Sequence, residues 1–283
     1  MSARTHHRVR ASAVAWRAAV DVALIAACGV GLAAGCNPGR IEAVGLDPKS
    51  PWSNLIAYWS FDDGGGTILA DLSGNGRAGM VLPGATWAPG RFGGGLHFDG
   101  TTLAEVNVPS FPQVTGSWSV AGWVNAPAGD TGDSYATIVS TENLQVGGWE
   151  FNLRLVPPGA PPASPPVSSL YQFAYWIGPG QSNYVNRECD CFTPSQWVHV
   201  AAILDAGAQT LSFYRTGVFQ GSTLAATAVQ PGNSTLYFGR WANDDSRRLT
   251  GDLDDFVIYN RALEQAEVQR LAREPMPPMV TPP

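Results

Sequence analysis

Charge is scarce in this chain. Charged residues make up 14% of its 283 positions, where globular proteins carry roughly 25%. Positive charge is the shorter of the two: 17 Lys and Arg stand against 23 Asp and Glu, a formal net charge of −6. Setting aside the first 35 residues removes Arg4, Arg8, Arg10 and Arg17 but only one acid, Asp21, so the remainder is more acidic still. Phosphate binding needs a basic footprint, so nucleic acid is excluded as a partner. Neutral glycans, proteins and cations remain open. No internal repeat marks a solenoid or propeller. The apolar run Val22–Gly35 is short for a membrane span, which takes roughly 20 residues.

Turn residues and aromatics are plentiful: Gly 32, Pro 22 and Trp 10, within a chain that is 45% hydrophobic. Short alternating or apolar stretches recur between Gly/Pro breaks. They are Leu55–Phe61, Ala78–Leu82, Gly95–Phe98, Leu103–Val108, Ser117–Val124, Ala136–Ser140, Trp149–Val156, Leu170–Ile177, Trp197–Leu204, Thr210–Arg215, Val218–Leu224, Leu236–Gly239 and Gly251–Tyr259. Trp197–Leu204 is apolar on both faces, the mark of a central strand covered on both sides. Thr216-Gly217 signals a hairpin. The spacing of Leu263, Ala266, Val268, Leu271 and Ala272 predicts one short amphipathic helix. About a dozen short strands predict an all-β fold, a two-sheet antiparallel jelly-roll sandwich with a short C-terminal helix. The Pro-rich loop Pro157–Ser169 is long enough to be functional or disordered. Gly251–Tyr259 is expected to close the domain by pairing with Leu55–Phe61.

Both ends read differently. A basic start and the run Leu32-Ala33-Ala34-Gly35 before Cys36 resemble a bacterial lipoprotein signal, with Cys36 the lipidated residue. Ile25-Ala26-Ala27-Cys28 is a second possible lipobox, and an uncleaved membrane helix is the alternative. This divides the chain into a signal peptide (1–35), a lipidated Cys and Pro/Gly-rich tether (36–53), a β domain (54–273) and a Pro-rich tail (274–283). The expected address is the cell envelope, as an outer-membrane lipoprotein or at the cell surface, with the membrane met through the lipid alone.

Six spaced signatures occur in order: Tyr58-Trp59-Ser60-Phe61-Asp62, Asp71-Leu72-Ser73-Gly74-Asn75-Gly76, Arg91-Phe92-Gly93-Gly94-Gly95-Leu96-His97-Phe98-Asp99-Gly100, Ser119-Val120-Ala121-Gly122-Trp123-Val124, Trp197-Val198-His199-Val200-Ala201, and Gly251–Leu263. Together they resemble the laminin-G-like members of the concanavalin A-like lectin/glucanase jelly-roll superfamily. The resemblance implies two stacked curved sheets with the first and last strands adjacent. It fixes fold better than function.

The resemblance also implies a structural Ca²⁺ where the chain ends meet, and by position Asp62, Asp99 and Asp255 are its candidate ligands. The alternative is that these acids bond turn N–H groups, Arg91 or Arg261. Glucanase relatives use a Glu-x-Asp-x-(x)-Glu strand. Glu188-Cys189-Asp190 starts that pattern and lacks the second catalytic carboxylate, so no enzyme is expected. Cys189 and Cys191 are expected to form a strained disulfide in an oxidising compartment; zinc would need two further ligands. His199 reads as a packed sheet histidine. Trp176 and Trp241, by the long loop and in a Gly/Asp-rich stretch, are the candidate sugar-stacking residues. The function expected is non-catalytic recognition of a glycan or extracellular protein. The alternatives are a structural envelope component and a divergent glycoside hydrolase.

Overall fold

The computed structural model describes residues 50–127, 135–143, 145–155, 169–176, 184–189, 193–225 and 229–277, with backbone alone at strand residues 154–155, 169–170, 176, 184–186 and 188. The chain divides into Met1–Pro48 and Lys49–Pro283, and every described residue falls in the second unit. Cys36 and its surroundings therefore lie outside the described residues, as does the stretch Pro157–Val167.

Sixteen strands and one helix follow in order. They are β1 (Leu55–Trp59), β2 (Ile68–Leu69), β3 (Gly79–Val81), β4 (Ala85–Pro89), β5 (Gly94–Asp99), β6 (Val106–Val108), β7 (Trp118–Asn125), β8 (Tyr135–Ser140), β9 (Trp149–Leu155), β10 (Ser169–Trp176), β11 (Tyr184–Cys189), β12 (Val198–Asp205), β13 (Thr210–Arg215), β14 (Val218–Leu224), β15 (Leu236–Phe238), β16 (Thr250–Tyr259) and α1 (Gln265–Leu271). They form two antiparallel sheets of eight. Sheet A runs β14-β13-β12-β7-β16-β5-β4, with β1 on β16, and sheet B runs β11-β10-β9-β8-β15-β6-β3-β2.

Alternation builds the space between the sheets. Trp59, Phe61 and Phe256 from sheet A meet Phe238 from sheet B, with ring centroids 5.1, 5.7 and 5.4 Å from Phe238. A second aromatic knot joins Trp118 to Trp149 at 4.8 Å and to Phe173 at 5.1 Å. Glycine is required at Gly122, where a Cβ would sit 2.3 Å from the Phe256 ring.

The outward side of sheet A is apolar as well. Ala121, Ala201, Ile203, Val257 and Tyr259 pack under Leu263, Val268 and Leu271 of the C-terminal segment. Glu264 and Glu267 form a capping box that starts α1. The doubly apolar pattern of β12 thus has its reason: core on one side, helix on the other. Further ties hold the two ends of the domain together. Leu55, Ala57, Tyr58 and Trp59 pair with the second half of β16, Tyr259 O–H donates to the Pro51 carbonyl at 2.8 Å, and Arg261 donates to the Ser53 carbonyl at 3.1 Å.

Candidate functional site

β16 changes partner along its length. Thr250–Leu253 pair with β5, while Phe256–Tyr259 pair with β1. A bulge against β7 lies between Asp254 and Val257, and Asp255 takes φ 48° there, a conformation that costs an L-residue about 1 kcal/mol or more. The break between the end of β1 and the start of β5 gathers acids. Asp254 Oδ2 accepts the N–H groups of Arg91 and Phe92 at 2.7 and 2.9 Å. Asp62 Oδ1 accepts the Gly94 N–H at 2.6 Å. Tyr58 O–H donates to Asp255 Oδ1 at 2.6 Å. Gly93 turns this loop with φ 69°, and a Cβ there would lie 2.4 Å from Asp62 Oδ1.

Each acid spends one oxygen fastening the fold. Asp254 Oδ1 and Asp255 Oδ2 are buried with no hydrogen-bond partner. Burial pushes the Asp254 carboxyl up to about 8, with the nearby Asp255 and Asp62 charges adding to it. Burial likewise pushes Asp255 up to about 6, partly offset by the Tyr58 hydroxyl. Of the three expected cation ligands, the structure brings Asp62 and Asp255 to this gap. Asp99 stands opposite Thr250, four residues along β16 from Asp254 and so about 13 Å away at roughly 3.4 Å per residue. Its Oδ1 accepts the Thr101 N–H at 2.9 Å, a turn-bonding role. Asp254 takes the third place. Unpartnered carboxylate oxygens are the donors a hard cation takes. Among the described residues, however, no three His, Cys, Asp or Glu side chains are gathered tightly enough to hold a metal ion as they stand. The residues that could hold a cation here are Asp254 and Asp255, each with one unpartnered oxygen, with Asp62 beside them.

A second polar assembly occupies the outward side of sheet B. Alternation sends Ala136, Phe151 and Phe173 into the core and Thr137, Glu150, Asn152 and Gln172 outward, yet these four are buried too. Arg247 donates to Glu150 Oε2 at 2.9 Å, and its guanidinium lies 3.8 Å from the Trp241 ring centroid and 4.8 Å from that of Tyr135. Thr137 O–H donates to Glu150 Oε1 at 2.5 Å. The Trp241 indole N–H donates to Glu142 Oε2 at 2.5 Å. Burial, and then the Glu150 charge, push the Glu142 carboxyl far above the usual carboxylate range, to about 9, and its Oε1 is buried with no hydrogen-bond partner. Nearby, Glu105 Oε2 accepts Arg248 at 2.6 Å and Arg240 at 3.4 Å, and Arg240 stacks 4.5 Å from the Tyr237 ring centroid.

Trp241 is therefore placed differently from its expected role. It is 6% exposed with Arg247 over its ring, which leaves no open face for a sugar. Its work is to orient Arg247 and Glu142. Trp176 ends β10 opposite Tyr184, and its side chain lies outside the described residues. Cys189 is buried in β11 opposite Tyr171; Cys191 lies outside the described residues. His97 bonds Asp252 at 2.7 Å. His199 is buried 5.4 Å from the Trp123 ring, and burial pulls its imidazole down to about 3, so it is the neutral packed histidine its strand position suggested. Sequence reasoning missed Glu105, Glu142, Glu150 and Arg247. The available signal was Glu150 at an outward position between Trp149 and Phe151. What covers it comes from a loop nearly a hundred residues later.

Residues 98–269 match the family described as the concanavalin A-like lectin/glucanases superfamily. No curated protein sequence gives a significant match. Among solved structures, the chain is similar to the binding domain of Paraclostridial Mosquitocidal Protein 1, at 17% identity and TM-score 0.60 over 79% of this chain and 52% of that one. It is similar to domain 4 of AbnA, a GH43 extracellular arabinanase from Geobacillus stearothermophilus, in complex with arabinotriose, at 21% identity and TM-score 0.58 over 78% of this chain and 98% of that one. A third similarity is to the botulinum neurotoxin serotype D ligand binding domain in complex with N-acetylneuraminic acid, at 14% identity and TM-score 0.58 over 79% and 52%. The chain spans about half the length of the toxin chains. Likeness at these identities is likeness of fold.

Proposed function

The chain belongs to the concanavalin A-like lectin/glucanases superfamily, and from that premise we propose that its domain is a non-catalytic recognition module for a glycan or an extracellular protein, held at the cell envelope by a lipid on Cys36. The carrying observation is the contrast between the two outward sides. That of sheet A is sealed by α1; that of sheet B is polar, with side chains fixed in place by ion pairs and stacked rings. A glycosidase needs two carboxyls roughly 5–5.5 Å or 6.5–9.5 Å apart across an open sugar site. Glu142 and Glu150 are instead both buried, the first accepting the Trp241 indole N–H and the second paired with Arg247, which supports binding over hydrolysis. The two similar structures that hold arabinotriose and N-acetylneuraminic acid support a glycan as the first ligand class to try.

The same reading includes a structural Ca²⁺ at Asp254 and Asp255 with Asp62, supported by the two unpartnered oxygens, and a Cys189–Cys191 disulfide, supported by the disulfide-bonded state of Cys189. The deciding experiment is an array of neutral and acidic glycans probed with the purified protein. Retention of a glycan class is the expected result. Retention of none, together with failure to capture any envelope protein, would leave the structural-component reading in its place. Incorporation of a palmitate analogue, lost in Cys36→Ala, is the expected sign of lipidation.

A further inference from the structure

We propose that the rim of the sandwich between β11 and β14 binds a tetrahedral dianion, phosphate or sulfate, free or borne as a monoester, between Arg187 and Arg215. The inference goes beyond the recognition reading and does not rest on it. β11 is the end strand of sheet B and β14 that of sheet A. Arg187 on β11 opposes Phe173 on β10, and directly paired residues share a face of their sheet. Arg215 lies two residues beyond Phe213 on β13, on the same face by alternation. Phe173 and Phe213 both fill the core. The two arginines therefore turn toward the space between the sheets, at its rim, where both are half-buried.

Their placement is built into the strands. A Cβ on Gly221 would sit 2.2 Å from Arg187 Nη2, so this guanidinium lies where β14 would otherwise carry a side chain. Gly221 opposes Phe213, two residues along β13 from Arg215. At about 3.4 Å per residue and about 4.8 Å between strands, Gly221 and Arg215 stand about 8 Å apart, a gap that one ion and the Arg215 side chain span. Arg187 Nη2 donates to the Gln220 carbonyl at 2.9 Å, and Arg215 Nη2 to the Thr193 hydroxyl at 2.7 Å. Each Nε is buried without an acceptor and lies out of a ligand's reach. Each Nη1 carries no hydrogen bond and meets solvent, and these two nitrogens are the donors offered to a ligand. The Thr193 hydroxyl accepts from Arg215 and keeps its own proton to donate.

Charge decides the ligand class. Acids outnumber bases in this chain, 23 to 17, and Arg240, Arg247, Arg248 and Arg261 each hold a carboxylate. Among the described residues no carboxylate pairs with Arg187 or Arg215. Two half-buried guanidinium groups on facing sheets repel more strongly than they would in water. An oxyanion between them relieves that repulsion with charge-assisted hydrogen bonds, and guanidinium donors match its geometry. A carboxylate brings one charge to two cations. Phosphate and sulfate bring two, with oxygens to spare for both Nη1 groups and for Thr193.

The test uses calorimetric titration and thermal unfolding of the purified full chain at constant ionic strength, with phosphate, sulfate, glycerol phosphate, acetate and chloride as sodium salts. Phosphate or sulfate should bind and raise the melting temperature in a saturable way, with acetate and chloride weaker by about tenfold or more. Affinity should fall about tenfold or more in Arg187→Gln and in Arg215→Gln, and less in Arg215→Lys, which keeps the charge. In chloride alone the three variants should keep the parent's melting temperature, so that lost affinity reports the site rather than the fold. Glycerol phosphate bound as tightly as phosphate makes a monoester group the ligand, and its refusal restricts the site to the free ion. Equal responses to phosphate, sulfate and chloride overturn the proposal as a general salt effect. Saturable dianion binding that both Gln variants retain overturns the role of the two arginines.

Discussion

The two outward sides of the domain are covered by opposite means. Sheet A hides apolar side chains under α1, and that contact is carried by burial, at about 25 cal/mol per Å² of apolar surface. Sheet B hides two carboxyls and a hydroxyl, held by directional bonds from Arg247, Trp241 and Thr137. The apolar cover tolerates small shifts in register, since any close-packed arrangement serves. The polar cover does not, because each buried group left without its partner costs free energy. A surface held in one geometry is what recognition requires, and a surface that only needs sealing can be held more loosely.

Substitutions should separate the two kinds of cover. The largest effect is expected from Glu150→Ala, which leaves Arg247 and Thr137 facing an empty site. Because Arg247 keeps partial contact with solvent, the loss should be about 2–4 kcal/mol in denaturant unfolding. Glu142→Gln should cost less than about 1 kcal/mol, because a neutral amide reproduces the protonated acid. Equal losses in the two variants would dissolve the distinction between the carboxyl paired with Arg247 and the carboxyl bonded by Trp241. On sheet A, Leu271→Ala should cost about 2–3 kcal/mol and leave ligand binding unchanged.

Next in size is the response to pH and calcium. Asp254 and Asp255 have folded-state pKa values above their unfolded value of about 3.9. Their protonated forms favour the fold below that value, and the contribution is lost as pH rises to about 6 and then 8. His199 acts in the opposite sense. Its folded value is depressed, so stability is lost as pH falls from about 6.5 toward 3. Metal-free protein should thus melt highest in the mildly acidic range. Added Ca²⁺ should raise the melting temperature more at pH 8 than at pH 5, because a cation replaces the protons these acids hold. An identical melting curve with Ca²⁺ and with EDTA at pH 8 would remove the cation from the gap. Tyr58→Phe should remove the bond to Asp255 at a cost of about 1 kcal/mol and raise the Asp255 pKa further.

Much of the fold was legible because local patterns and global packing agree. Trp118–Asn125 and Val198–Asp205 are long apolar strands, and both lie in the middle of sheet A. The pairing of β1 with β16 followed from the matched ends. Three strands escaped notice. β2 has only two residues. β4 ends in Pro89 next to Gly90, and β11 reads Asn186-Arg187-Glu188 in its middle; both lie at sheet edges, where a one-sided environment imposes little pattern. The candidate sites were half legible. Asp62 and Asp255 could be assigned to one place because two strand ends meet there. Asp99 could not be separated from them, since register along β16 is invisible in composition. Glu142 and Arg247 had no local sign, and Glu150 only its place between Trp149 and Phe151, because their burial depends on a loop whose path the residues under it do not encode.

The bulged strand β16 also sets the order in which the domain can be made. It is the last strand among the described residues, yet it lies inside sheet A with β7 along one edge and β5 and β1 along the other. A growing chain that has not reached Thr250 therefore has sheet A in separate pieces, β14-β13-β12-β7 on one side and β5-β4 on the other, with β1 paired to nothing in either sheet. Contacts between residues about 200 positions apart close last and slowly, and until they do the open edges of β7 and β5 invite mispairing. A product truncated before Thr250 lacks the strand that joins these pieces, so folding of this domain waits on the synthesis of Thr250–Tyr259.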